Sequence, residues 1–364
     1  MDRRSFLKTS AVGGTAAAAT TLAAPAVAQG RTPMVIVSTW PRDFPGLGTS
    51  AQRLSALIEE ATDGAIATEY FAAGERVGAF DVFDEVASGN SQAFHAADYY
   101  WLGTHPVFAY VTAVPMGLTA LEQNAFIHYM GGQEIWDEVA DEYGLKGWLA
   151  GNTGCQPAGW FNREINSPED LRGLRMRIPG IGGSMMSKLG VSVVLLPGGQ
   201  IFENLVSGAI DAAEWVGPWN DFYLNFHQAA RYYYNPGPQE PGPALSLTMN
   251  KSWLTSLPSW QQRAIQACCH MENDRMMAEY NAMNGRYLDR LIQDHGVEMR
   301  FLDEDMFAAF NEASDEVFDE IRQHSDAANR MHEAFLVARQ DVGRWLNISE
   351  QDFAFKRNQV LGID

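Results

Sequence analysis

Leu171-Arg172-Gly173-Leu174-Arg175-Met176-Arg177-Ile178-Pro179 reads as a strand over Leu174 to Ile178, stopped by Pro179-Gly180. Arg175 and Arg177 stand two apart on it and share one face. Outward from this stretch the chain alternates: a helix over Ser184 to Leu189, a strand over Val191 to Leu196, a helix over Ile201 to Ser207, a strand over Ala209 to Glu214. Just upstream, Ser167-Pro168-Glu169-Asp170 places an N-cap, a Pro at the first helical position and first-turn acids, which is a helix start. Strands that alternate with helices define an α/β class with ligands outside the strand carboxyl ends. Gly180-Ile181-Gly182-Gly183-Ser184 lacks the Lys-Ser/Thr of a phosphate loop and is expected to be a strand-to-helix turn.

The same alternation opens the chain. Met34 to Ser38 and Ala65 to Phe71 read as strands around a helix from Leu47 to Ala61, whose Leu54, Leu57, Ile58 and Ala61 fall at helical spacing. A helix over Phe80 to Ala87 and a strand over Gln92 to Ala97 follow, then a helix over Glu134 to Glu142 and a strand over Lys146 to Ala150. Two such blocks predict two lobes with a cleft between them. The expected boundaries are 29–124 for the first lobe, with 216–250 returning to it, 125–215 for the second, and a helical region over 251–364 that braces both. In that region Ala328, Met331, Phe335, Ala338, Val342 and Trp345 follow the alternating three-and-four spacing of a coiled-coil seam. The seam packs either on the chain's own lobes or on a partner helix in a homodimer.

The 364 residues carry 26 Lys+Arg against 45 Asp+Glu, a net charge of −19. That balance speaks against binding to nucleic acid or to an anionic membrane surface. Residues 1–28 read as an export signal: Arg3 and Arg4 precede Ser5-Phe6-Leu7-Lys8, a small-residue stretch follows, and Ala26-Val27-Ala28 fits a cleavage site. The twin arginine resembles a Tat signal, so a periplasmic mature protein starting at Gln29 is expected. The three cysteines, Cys155, Cys268 and Cys269, fit neither a disulfide framework nor a metal motif, and the adjacent pair strains bridge geometry. No CxxCH, HExxH, GxSxG or dinucleotide fingerprint supports an enzyme.

The segment Leu171 to Pro179 resembles the strand of the extracytoplasmic solute receptors of tripartite ATP-independent periplasmic (TRAP) transporters, the DctP family. Gly208-Ala209-Ile210-Asp211-Ala212-Ala213-Glu214 and the helical tail agree with it. The resemblance implies a two-lobed periplasmic solute-binding fold with an interlobe cleft and long C-terminal helices. It places Arg177 where the family holds a substrate carboxylate in a two-pronged salt bridge, chemistry suited to the planar guanidinium fork. Many relatives have Asp-Gly where this chain has Asp211-Ala212-Ala213-Glu214-Trp215. With Gln156, that departure resembles the subgroup binding 2-oxo or 2-hydroxy acids with a metal ion. The implied metal ligands are Gln156, Glu214 and the Trp215 carbonyl, and the implied ion is Na⁺, with Ca²⁺ the alternative.

Charge counting also favours a cation, because Glu214, Glu240 and a carboxylate ligand would face one Arg177. Oxygen ligands suit a hard ion. Tyr99, Tyr100, Trp215, Asn220 and Glu240 complete the candidate contacts, with Glu240 also a candidate for the ion's shell. The expected ligand is pyruvate or a related α-keto acid, delivered to the TRAP membrane permease by a protein that makes or breaks no bond. A receptor for lactate with Ca²⁺, a Tat-exported periplasmic enzyme and a scaffold built on the heptad seam are the competing readings.

Overall fold

Eleven strands among the described residues, 30–363 of the computed structural model, form two mixed sheets. The expected signal peptide, residues 1–28, lies outside them. The strands are β1 (Thr32–Ser38), β2 (Ile66–Phe71), β3 (Ala93–Ala96), β4 (Leu145–Asn152), β5 (Gly159–Phe161), β6 (Arg175–Arg177), β7 (Ser192–Val194), β8 (Ala212–Ala213), β9 (Tyr232–Asn235), β10 (Ala244–Asn250) and β11 (Glu298–Phe301). The first sheet runs β2-β1-β3-β10-β4 and the second β11-β9-β5-β8-β6-β7. In the first, β2, β1 and β3 are parallel and β10 runs antiparallel between β3 and β4. In the second, β8, β6 and β7 are parallel.

The helix Leu47–Ala61 has the bounds that the periodicity predicts and buries Leu47, Ala51, Leu54 and Ile58. The Ser167 start is a 3-10 turn over Pro168–Leu171 closed by a capping box, not a full helix. The predicted Gly180 turn opens the helix Gly180–Lys188. From Thr32 on, the described residues form one compact unit with both sheets inside it.

The expected lobe boundaries need correction. β4 falls within 125–215 but pairs with β10 in the first sheet, so the chain leaves that sheet only after Asn152. Only β10 of the segment 216–250 returns to it, because β9 pairs with β5 and β11 in the second sheet. The nominally helical tail also supplies β11. Local periodicity identifies a strand, but its sheet is set by partners far away in sequence, and that information is absent from the pattern.

A 37-residue helix, Ser259–His295, lies against β4 and against the helices Leu47–Ala61 and Pro218–Tyr223. Its buried Glu272 accepts from Ser50 Oγ at 2.6 Å and pairs with Arg53. The seam on the helix Asp326–Leu346 divides. Ala328, Met331, Phe335 and Ala338 are buried against the chain's own helices, whereas Trp345 is exposed. All three cysteines are free thiols.

Candidate functional site

The chain crosses between the sheets at 153–158, leaving β4, and again at 236–243, entering β10. These two segments lie side by side. Thr153 N–H donates to the Pro243 carbonyl at 3.1 Å, Gln156 N–H to the Glu240 carbonyl at 3.0 Å, and Gly237 N–H to the Gln156 carbonyl at 2.8 Å. Gln156 and Glu240 therefore meet although 84 positions separate them. The second sheet brings Arg177 from the end of β6 and Glu214 from just past β8, where Glu214 N–H donates to the Arg177 carbonyl at 3.1 Å. Trp40 follows β1, and Tyr99 and Tyr100 occupy the 3-10 turn Asp98–Trp101 after β3. Strand carboxyl ends and crossings supply the whole site, as open α/β sheets require.

A small cavity of about 10 Å³ sits at this junction, lined by Tyr99, Tyr100, Thr153, Gln156 and Trp215 together with apolar side chains. Beside it Arg177, Glu214 and Glu240 are at most 2% exposed. Arg177 Nε donates to the Leu196 carbonyl at 3.2 Å, and Nη1 donates to the Glu214 carbonyl at 2.9 Å and pairs with Glu214 Oε1. Its guanidinium carbon lies 5.0 Å from the centre of the Trp215 ring.

Six buried polar atoms here have no hydrogen-bond partner: Arg177 Nη2, Trp215 Nε1, Gln156 Oε1, Glu214 Oε2 and both carboxylate oxygens of Glu240. Buried polar groups are almost always satisfied, so a cluster of orphans indicates capacity for something that binds. Two orphans are donors, one of them cationic, and four are oxygens, which suits an anion beside a hard cation. The oxygens come from two carboxylates and an amide; among the described residues no group of three or more His, Cys, Asp or Glu is placed to hold a metal. Burial pushes both carboxyl groups upward. In Glu214 the nearby Arg177 opposes that rise, while in Glu240 the charge of Glu214 adds to it. The pair strongly resists carrying two negative charges unless positive charge arrives.

The aromatic frame is held from behind. Trp40 Nε1 donates to His95 Nδ1 at 2.9 Å, and the other nitrogen of His95 lies 3.3 Å from the Ala150 carbonyl. Burial lowers His95 to about 4, so it stays neutral. Gly180 has φ +63°, and a Cβ there would come within 2.7 Å of Tyr99, so the absence of a side chain lets the helix Gly180–Lys188 close on the site.

Of the candidate contacts, Tyr99, Tyr100, Gln156 and Trp215 line the cavity, and Arg177, Glu214 and Glu240 lie beside it. Asn220 does not line the cavity; its Nδ2 donates to the Pro45 carbonyl at 2.8 Å and its Oδ1 accepts from Tyr280 at 2.6 Å, which anchors its helix. Next to it, Asp221 Oδ2 accepts from Trp160 at 2.9 Å and from Tyr233 at 2.7 Å, tying the helix Pro218–Tyr223 to the second sheet. Sequence reasoning passed over Trp40, Leu47, Thr153, Val216, Pro243 and Leu245 as lining residues. Trp40 carried a signal, its place directly after the first strand.

A buried guanidinium and unpartnered polar atoms meet where the chain crosses between the two sheets, which makes this a candidate binding site. Comparison gives the family. Residues 36–324 match the bacterial extracellular solute-binding proteins, family 7 (DctP), and the chain belongs to this family of TRAP solute receptors. It is a receptor and not an enzyme. A monocarboxylate 2-oxoacid-binding periplasmic protein of Nostoc sp. is 35% identical over 358 residues, 97% of this chain and 98% of that one. A TRAP solute-binding protein from Pseudoalteromonas atlantica, solved with bound sodium and pyruvate, is 33% identical with a TM-score of 0.86, covering 89% of this chain and 98% of that one. Another from Colwellia psychrerythraea, solved with calcium and pyruvate, is 32% identical with a TM-score of 0.87, covering 90% and 99%.

Proposed function

We propose that this receptor binds a small 2-oxo monocarboxylate, pyruvate or a near relative, together with Na⁺ or Ca²⁺, and delivers it to a TRAP membrane permease. The cluster of six unpartnered buried polar atoms carries the reading. Arg177 Nη2 receives a ligand carboxylate oxygen. Gln156 Oε1, Glu214 and Glu240, with the Trp215 carbonyl, form the oxygen set for the ion, and Tyr99 and Tyr100 flank the ligand. The cation supplies the positive charge that lets two carboxylates and an anionic ligand share one buried site. Support for the ligand class also comes from the relatives that bind 2-oxo acids or pyruvate. Groups from both sheets contact one ligand, so binding favours the closed cleft over the open one.

The proposal includes Tat export, cleavage after Ala28 and a homodimer. Supporting the dimer, Trp345, Ile348, Phe353, Phe355, Val360 and Leu361 are each at least 61% exposed along the last helical segments. Large apolar surface of this kind marks an interaction site.

Calorimetric titration of the metal-stripped mature protein with pyruvate, with and without Na⁺ or Ca²⁺, tests the ligand and the ion together. One-to-one binding that needs the cation is expected. Binding indifferent to cation would remove the ion from the site, and no binding of any 2-oxo acid would overturn the ligand class.

A further inference from the structure

We propose that Leu47 and Leu245 form the end wall that limits the ligand's acyl chain, so that the cleft selects 2-oxo acids with the shortest side chains. This rests on the ligand class just given and adds the residues that set its specificity. The cavity, about 10 Å³, is far smaller than the roughly 300–1,000 Å³ of ordinary ligand pockets, so a ligand there is tightly enclosed. The unpartnered polar atoms belong to Arg177, Gln156, Glu214, Trp215 and Glu240. Five other lining residues, Trp40, Leu47, Val216, Pro243 and Leu245, present no unpartnered polar atom. A second carboxylate or a sugar hydroxyl against Leu47, Val216, Pro243 and Leu245 would lose its water and find no replacement, whereas a methyl group loses nothing.

The wall's parts differ in how far they can yield. Trp40 is fixed by its hydrogen bond to His95. Trp215 is held by Arg177 on its face and by Gly198, where a Cβ would come within 2.5 Å of the indole. Neither indole has room to swing away. Val216 and Pro243 are short. The two leucines therefore supply the removable bulk. Leu47 opens its helix directly after Gly46, whose φ of +75° and closeness to the Tyr280 ring fix the approach of the chain. Leu245 stands at the register shift between β10 and β4, the kind of irregularity that re-aims a side chain beside a site. Both leucines are no more than 2% exposed, in a core packed too densely to make room unaided.

The test titrates wild type, Leu47→Ala, Leu245→Ala and the milder Leu47→Val and Leu245→Val with pyruvate, 2-oxobutyrate, 2-oxovalerate and 4-methyl-2-oxopentanoate at saturating cation. Thermal melts confirm that each variant is folded, and the valine variants keep the test open should an alanine variant collapse. Wild type should lose about tenfold or more in affinity for each methylene beyond the first the cavity accepts. In the variants, affinity for the longer acids relative to pyruvate should rise by about the same factor. A wild type that binds pyruvate, with that ratio unchanged in every folded variant, overturns the wall and leaves the ligand class standing. A wild type that binds none of the four acids overturns both.

Discussion

Arg175 and Arg177 stand two residues apart on β6, and each pairs with a carboxylate beside β8, but only one pair belongs to the cleft. Asp211 spends its oxygens fully: Oδ2 accepts from Arg175 N and Nε, both at 3.0 Å, and Oδ1 from Nη2 at 2.7 Å. The Arg175 hydrogen bond holds the Asp211 carboxyl below its ordinary range, and water reaches both side chains. The Arg177–Glu214 pair is entirely buried and leaves Nη2 and Oε2 unused. The first pair is complete, and the second is waiting for a third party. Unused buried hydrogen-bonding capacity separates them, since the charge pairing itself is the same.

The largest effect should come from Arg177→Ala. Removing one partner of a buried, hydrogen-bonded charge pair costs roughly 2–5 kcal/mol, so pyruvate binding by calorimetry should weaken about thirtyfold or more. Arg175→Ala should leave that affinity unchanged, and equal losses would erase the distinction between the pairs. Next comes Glu214→Gln, which keeps the shape and removes the charge. Pyruvate should bind more weakly and lose its dependence on Na⁺ or Ca²⁺, whereas Asp211→Asn should retain it. A Glu214 variant with wild-type cation dependence would take that residue out of the ion's shell.

Asp98 extends the comparison to a buried carboxyl outside the cation set. One of its oxygens has no partner, and burial raises it to about 7. Between its unfolded value, about 3.9, and that folded value the native state binds more protons than the unfolded one. Asp98 therefore supports the fold at low pH, and that support is lost as pH rises through this window, at up to about 1.4 kcal/mol per pH unit. Denaturant melts of ligand-free wild type and Asp98→Asn across pH 4 to 8 should show wild type losing ground to the variant as pH rises. Parallel profiles would mean that Asp98 does not titrate there. The smallest effect on ligand affinity should follow removal of residues 347–364. Light scattering should then report monomers that still bind pyruvate, and a persistent dimer would place the interface elsewhere.

Much of this site was legible in the sequence because the chemistry is carried by unusual residues at informative places. Arg177 ends a strand, Glu214 and Trp215 follow another, and Tyr99 and Tyr100 follow a third. The apolar wall was not legible, since nothing local distinguishes Leu47 or Leu245 from any other core leucine. The anchoring role of Asn220 was not legible either, because its partners, Pro45 and Tyr280, come from distant segments. The same blindness to long-range pairing moved β4 and β9 between the lobes.

The most direct test is a crystal structure of the mature protein grown with pyruvate and Ca²⁺. One ligand should lie in the interlobe cavity, its carboxylate on Arg177 Nη2, with a calcium anomalous peak within bonding distance of Gln156 Oε1 and the Glu214 carboxylate. Pyruvate bound there with no ion, or an ion whose ligands exclude Glu214, would contradict this arrangement.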